Sequence, residues 1–306
     1  MEFTGLKAIY YNKPDAEFKI WGIADQHLTN RAVDWKLIEE DRDSIFKDPY
    51  SFWVEVGDYA DWHLPSHPYF DAEAFDPKIG VSSLTMYAAM VSGKIVDTYK
   101  RLADKCLGFA YGNHDHNYFI RNNQMDVHET ICKELNVPNL RYSGWIIVYF
   151  VYDKDAPKIP KIISLTKPPE KHTAKLQIFV FHGKGAAATP GGRMNALRDI
   201  TNIVDADLAI TAHLHEQLAK PFTRIVPDIT GQRARAKTTM SLITGTYLKN
   251  YQPDHTGYAE KKALPVTTLG AACARYIPAK KKMIVEISAD NVGESGKRVI
   301  KSVNYV

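Results

Sequence analysis

Cysteine is scarce in this sequence: Cys106, Cys132 and Cys273 are its three, and no two form a CxxC pair. So few, so scattered, exclude a disulfide framework and make a reducing cytoplasm the expected compartment. Long apolar runs are also missing. The longest, Trp145 to Tyr152, is far too short to span a bilayer. The opening stretch MEFTGLKAIYYNKPDAEF has no basic region followed by an apolar one, so neither export nor a membrane partner is expected. Internal repeats and low-complexity tracts are absent. Charge of one sign is not in large excess, since 39 Lys and Arg against 35 Asp and Glu leave a net +4. That balance suits a polyanionic partner without requiring one.

What is present fits an ordinary globular protein: 45% hydrophobic and 24% charged residues over 306 positions, enough for one domain, residues 1–306, with a sizeable core. Short apolar runs rich in β-branched and aromatic residues recur as FKIWGIAD (18–25), SFWVEVGD (51–58), LGFAYGNHD (107–115), GWIIVYFVYD (144–153), KLQIFVFHG (175–183) and ADLAITAHLH (206–215). Each predicts a buried strand. Helical patterns lie between several of them, near 30–47, 82–105, 121–136 and 192–204. After 215 the runs TTMSLITGTYL, KKMIVEISAD and KRVIKSVNYV follow one another without helices, the last two as a hairpin across NVGESG. Two insertions are expected. The stretch near 62–83 holds three prolines between 63 and 80 and little period. That at 154–175 carries six lysines among its prolines, the composition of a solvated loop or surface hairpin.

The informative feature is where polar residues fall. Strand after strand ends in residues that ligate metals: Asp25 and His27, Asp58, Asn113 and His114, His182, then His213 and His215. In α/β sheets ligands bind at the carboxyl ends of strands, so side chains distant in sequence converge there. Singly, each has a plainer explanation: Asp25 a helix N-cap, Asn113 a turn residue, His182 a core histidine. Those explanations give no reason for all of them to sit at strand ends.

The set DQH, GDYAD, GNHD, FHG and AHLH, in that order, resembles the five-motif signature of the calcineurin-like metallophosphoesterase superfamily over roughly residues 18 to 216. It departs where Ala212 stands in place of the family's Gly before the last histidine pair, a change tolerable if that backbone is not left-handed. The resemblance implies a four-layer α/β/β/α sandwich and a dinuclear phosphoester hydrolase acting through a metal-bound hydroxide. Two divalent ions about 3.5–4 Å apart both generate a nucleophile and neutralise phosphoryl charge. Mixed nitrogen and oxygen ligands suit first-row ions, Mn²⁺ being the expected choice and Fe, Zn²⁺, Ni²⁺ or Mg²⁺ the alternatives.

By resemblance, Asp25, His27 and His215 hold one metal, Asn113, His182 and His213 the other, and Asp58 bridges them. His114 becomes the leaving-group acid and Asp115 the residue that orients its imidazole. Asp61, the second acid of GDYAD, fits a cap or an orienting contact better than ligation. Contact with substrate is assigned to His63 and His116, and to Tyr247, Lys249, Tyr251, His255 and Tyr258 of a Tyr- and Lys-rich loop near 245–270, where aromatic faces can stack on bases. The expected substrate is a phosphodiester, DNA or RNA first. The alternatives are a phosphatase or small- or cyclic-nucleotide phosphodiesterase and, least, a non-catalytic scaffold of the same fold.

Overall fold

The computed structural model describes residues 1–62, 70–80, 86–116, 126–185, 189–228, 230–251, 256, 258–261, 263, 265–290 and 299–305. Two seven-stranded sheets carry the chain. In order, their strands are β10-β11-β9-β8-β6-β1-β7 and β14-β13-β12-β2-β3-β4-β5. The ranges of the first sheet are β1 Glu2–Tyr11, β6 Ser143–Tyr152, β7 Ile162–Leu165, β8 Ala174–Phe181, β9 Leu208–Thr211, β10 Leu218–Asp228 and β11 Arg233–Ile243. The second comprises β2 Phe18–Ile23, β3 Ser51–Glu55, β4 Cys106–Ala110, β5 Asn139–Arg141, β12 Ala272–Ile277, β13 Lys282–Asp290 and β14 Val299–Tyr305.

The layering follows from how side chains divide between faces. On β6, Ile146, Val148 and Phe150 point inward. They meet Phe18 and Ile20 of β2 and Phe52 and Val54 of β3 in one buried cluster between the sheets. Trp53, on the opposite face of β3, belongs to a second cluster. There it meets Ile38 and Ile45 of α1 (Trp35–Lys47), Val91 and Ile95 of α2 (Tyr87–Tyr99) and Ile131 of α3 (Val127–Leu135). A third, smaller cluster packs Phe179 of β8 against Ile200 of α4 (Pro190–Ile203). Helices therefore flank both sheets, giving the expected four-layer α/β/β/α sandwich. Because β3 is covered on both sides, its five residues are all buried and read as a continuous rather than alternating apolar run.

Three of the flanking helices, α1, α3 and α4, begin at a polar cap that satisfies an orphan backbone donor. Asp34 accepts from Leu37 N, Asp126 from Glu129 N and Thr189 from Gly192 N. The caps Asp126 and Thr189 shift the starts of the helical patterns expected over 121–136 and 192–204. The sequence-predicted strand runs all appear, shortened at their polar ends. The hairpin β13–β14 is antiparallel as expected. Strands β1, β5, β10 and β12 escaped the sequence reading, and part of the lysine-bearing insertion is β7, paired antiparallel with β1 at the sheet edge.

Topology decides where the site lies. β2, β3 and β4 run parallel, as do β8, β9 and β11, so the loops after β2, β3, β4, β8 and β9 carry all seven proposed ligands.

Candidate metal centre

The ligand loops hold an unusual backbone. Among the described residues ten non-glycine positions have positive φ, and five are proposed ligands: Asp25 (48°), His27 (49°), Asp58 (54°), His213 (72°) and His215 (49°). Left-handed backbone at Asp or His persists only where the surroundings determine it. Here they do. Asp25 N donates to Gly57 O at 2.9 Å, and the carbonyl of Asp25 accepts from Tyr247 N at 3.1 Å and from Thr246 Oγ1 at 2.7 Å. His213 N donates to Asp25 Oδ2 at 2.9 Å, tying the loop after β9 to the loop after β2.

Two glycines let the loops approach. A Cβ on Gly57, whose φ is +104°, would fall on Gly112 N, and one on Gly112 would fall on Asp58 Oδ1. The glycines of GD and GN are therefore steric requirements of one another. Ala212 is buried and absent from the positive-φ positions, so its methyl is accommodated as the sequence reading required.

Three groups of side chains could hold a metal ion: Asp25, His27 and His215; Asp58, His182 and His213; and His27, Asp61 and His114. In the first, His27 Nε2 and His215 Nε2 face each other at 3.4 Å, and Asp25 Oδ1 lies 3.5 Å from His215 Nε2. Asp25 Oδ1 is buried and accepts no well-aligned hydrogen bond, a costly state for a carboxylate without a cation. Ligand bonds of about 2.1 Å set donor atoms roughly 3.0–3.4 Å apart, so the spacing fits a transition-metal ion. In the second group, His182 Nδ1 donates to Val56 O at 2.8 Å. That fixes Nε2 as the nitrogen with a free lone pair, 3.1 Å from both Asn113 Oδ1 and Asp58 Oδ2. His213 Nε2 donates to Gly185 O at 2.7 Å, which leaves Nδ1 as the nitrogen with a free lone pair.

The third group sets one carboxylate between two imidazoles. Asp61 Oδ1 accepts from His27 Nδ1 at 2.7 Å and lies 2.8 Å from His114 Nδ1. Its other oxygen accepts from Asn30 Nδ2 at 2.9 Å, and its carbonyl from Thr29 Oγ1 and Tyr87 Oη, each at 2.6 Å. So Asp61, not Asp115, orients the His114 imidazole. Asp115 is buried, and its oxygens accept from the backbone N–H groups of Asp58 and Gly112, each at 2.8 Å, and from Trp62 Nε1 at 2.7 Å. Its role is to brace the loops that carry Asp58 and Asn113.

The electrostatics match a cation-hungry site. Burial opposes charge on Asp58 and Asp25, yet neighbouring histidines outweigh it and hold both carboxyls below their ordinary range. Burial likewise disfavours charge on His182 and His114, and nearby carboxylates, Asp58 first, overcome it and raise them to about 9 and about 10. Protons stand in for the positive charge that a divalent ion would supply, and an ion binding there would release them. Asp115 moves the other way, pushed up to about 7 by burial and the charge of Asp58.

Of the residues assigned to substrate contact, Tyr247 is corrected. It is buried, and its hydroxyl donates to Asp41 Oδ2 at 2.8 Å, so it anchors the loop behind Asp25 instead of lining a rim. Lys249 is bound to Asp34 Oδ2 at 3.0 Å, beside the cap of α1. Tyr251 is exposed. His116 is half-buried and lies against Tyr111, with near-parallel rings 5.3 Å apart. Tyr258 opens a four-residue helical turn; its side chain, His63 and His255 lie outside the described residues.

Trp62 and Glu55 were missed by sequence reasoning. Buried Glu55 accepts from Gln26 Nε2 at 2.9 Å and Gly57 N at 3.1 Å, and burial raises its carboxyl well above the ordinary value. The only signal was a lone acid two residues ahead of GD, which strand alternation alone also permits.

Comparison with known proteins adds little. No family model matches the chain, and no curated protein does. Among solved structures, zinc-complexed Vps29 of Entamoeba histolytica is similar with 13% identity, covering 94% of this chain and 99% of that one at a TM-score of 0.44. Vps29 of Chaetomium thermophilum shares 11% identity, covering 94% and 95% at a TM-score of 0.38. A "predicted phosphoesterase" of Streptococcus pneumoniae TIGR4 shares 11%, covering 95% and 99% at 0.36. At such scores these likenesses establish neither activity nor ligand. No helix among the described residues is long and apolar enough to cross a membrane.

Proposed function

We propose that this chain is a dinuclear-metal phosphoester hydrolase of the calcineurin-like metallophosphoesterase superfamily, with phosphodiesters as substrates. One observation carries the reading. Two adjoining donor groups, Asp25/His27/His215 and Asp58/His182/His213 with Asn113, sit beside an imidazole whose Nδ1 is already held by a carboxylate. A metal centre that served structure alone would have no use for His114, whose side chain is 29% exposed. Two divalent cations there, Mn²⁺ being the proposed ion, would lower the pKa of a bound water and neutralise phosphoryl charge. The chain's own residues do the rest. Asp61 keeps Nδ1 of His114 protonated and fixes the ring, so that Nε2 can pass its proton to the leaving oxygen. Asp115 and Trp62 hold the turn that presents Asn113 and His114.

Nucleic acid remains the proposed polymer, supported by the +4 balance and the lysines of 154–175; Tyr247 and Lys249 no longer support it. A phosphatase or small-nucleotide phosphodiesterase is the alternative, and a scaffold is least supported because the His114–Asp61 pair is complete.

The test is a panel of bis-p-nitrophenyl phosphate, p-nitrophenyl phosphate, cyclic nucleotides and labelled DNA and RNA, each with Mn²⁺, Mg²⁺, Zn²⁺ and Ni²⁺. Diester turnover above monoester turnover is expected, with nucleic-acid cleavage falling steeply as salt rises. No hydrolysis of any ester with any ion would sink the hydrolase reading. Equal mono- and diester turnover without nucleic-acid cleavage would select the small-ester alternative.

A further inference from the structure

Asn113 and His116 lie in one helical turn, residues 113–116, closed by His116 N donating to Gly112 O at 2.9 Å. Three positions apart, their side chains share a face of that turn. His116 therefore stands on the same side as the Asn113 amide that meets His182 Nε2. Tyr142 completes the corner, its ring 6.1 Å from those of both His116 and His182. Its placement is fixed by a hydroxyl that donates to Gly183 O at 3.2 Å and by edge contact with Phe181 at 5.7 Å. Tyr111 lies behind, parallel to His116 and edge-on to Tyr142 at 5.9 Å. Packing of the core does not require this corner to be aromatic: His116 and Tyr142 are half-buried, whereas Tyr59, Phe109 and His128 on the far side of Tyr111 are buried outright. Rings held in advance lose little freedom when a flat ligand is laid against them.

We propose that Tyr142 and His116 form a stacking wall beside the Asp58/His182/His213 group, and that it receives a planar aromatic group, a nucleobase in kind, carried one sugar away from the reacting phosphate. The inference rests on the proposed hydrolase reading for its phosphate and adds the substrate class.

The experiment is calorimetric binding of adenosine 5′-monophosphate and ribose 5-phosphate to the Mn²⁺-loaded protein, two ligands alike in phosphate and sugar and different only in the base. One base–aromatic stack corresponds to about 5- to 150-fold in affinity, and that ratio is expected in the wild type. Tyr142→Leu and His116→Leu should each lower the ratio towards one with ribose 5-phosphate affinity and metal content unchanged. Tyr142→Phe, which keeps the ring, should retain it. Equal affinity for the two ligands in the wild type, or a ratio preserved in both Leu variants, would overturn the proposal. Hydrolysis of bis-p-nitrophenyl phosphate without base preference removes the stacking wall alone. Base preference without any hydrolysis removes the hydrolase reading alone. If neither ligand binds and no ester is hydrolysed, both fall.

Discussion

The two donor groups are built differently. Asp25, His27 and His215 all sit on left-handed backbone, whereas in the other group Asp58 and His213 do and Asn113 and His182 do not. Asn113 opens a helical turn and His182 directly follows β8. Support differs accordingly. The first group is held through backbone carbonyls, Thr246 and Asp61, and the second through the interlocked glycines 57 and 112, the Asp115 brace and a carbonyl on His182. Strained loops can aim donors that regular structure cannot, but each needs several fixed partners. Asp58 belongs to the better-braced group and, if it bridges, serves both.

Replacing Asp58 by Asn is the most drastic way to break the contrast. Metal analysis should show both ions weakened, by more than the roughly 10–100-fold that loss of a hydrogen-bond partner behind a ligand costs, and diester hydrolysis should disappear. A wild type that is fully active with one bound ion would refute a bridging role.

Next in size, His114→Ala should keep both metals yet lower turnover by about 10²–10⁴-fold, with the deficit shrinking for esters with good leaving groups. Loss of metal in this variant would make His114 a ligand and put the third donor group in use.

Asp61→Asn sharpens the comparison, because its carboxylate backs His27 in one group and orients His114 outside both. Metal affinity should fall by about 10–100-fold at the Asp25/His27/His215 group only, with a reduced kcat at saturating metal. Uniform weakening of both ions would mean that Asp61 acts on the whole loop.

The smallest effect lies away from both groups. His128 is buried against Tyr59 Oη at 3.2 Å and Asn139 Oδ1 at 3.0 Å, and burial lowers it to about 4 from 6.5. Between those values the unfolded chain binds the extra proton, so this contribution to stability is whole above pH 6.5 and is lost as pH falls towards 4. The loss amounts to about 3 kcal/mol. Urea denaturation of metal-free protein at pH 7 and pH 4 should show it in the wild type and much less in His128→Gln; equal slopes would place the acid sensitivity in the ligands instead.

The order of the polar motifs and their place at strand ends determined the ligand candidates, because strand period and the parallel arrangement put such residues at one edge whatever the loop details. Sequence also determined the alternation of strand and helix, while the four-layer sandwich was implied by the resemblance of the motif set. It did not reveal β1 and β7, whose membership in a sheet depends on pairing across about 140 and 155 residues. Nor could it choose between Asp61 of GDYAD and Asp115 of GNHD as the partner of the His114 imidazole. Which one meets the imidazole depends on where Trp62 and two backbone amides from different loops come to rest. Tyr247 read as a rim aromatic because composition cannot tell a loop's outer face from its anchor. That choice belongs to tertiary structure, where Asp41 on α1 offers a buried acceptor shared by the Tyr247 hydroxyl and Ala271 N.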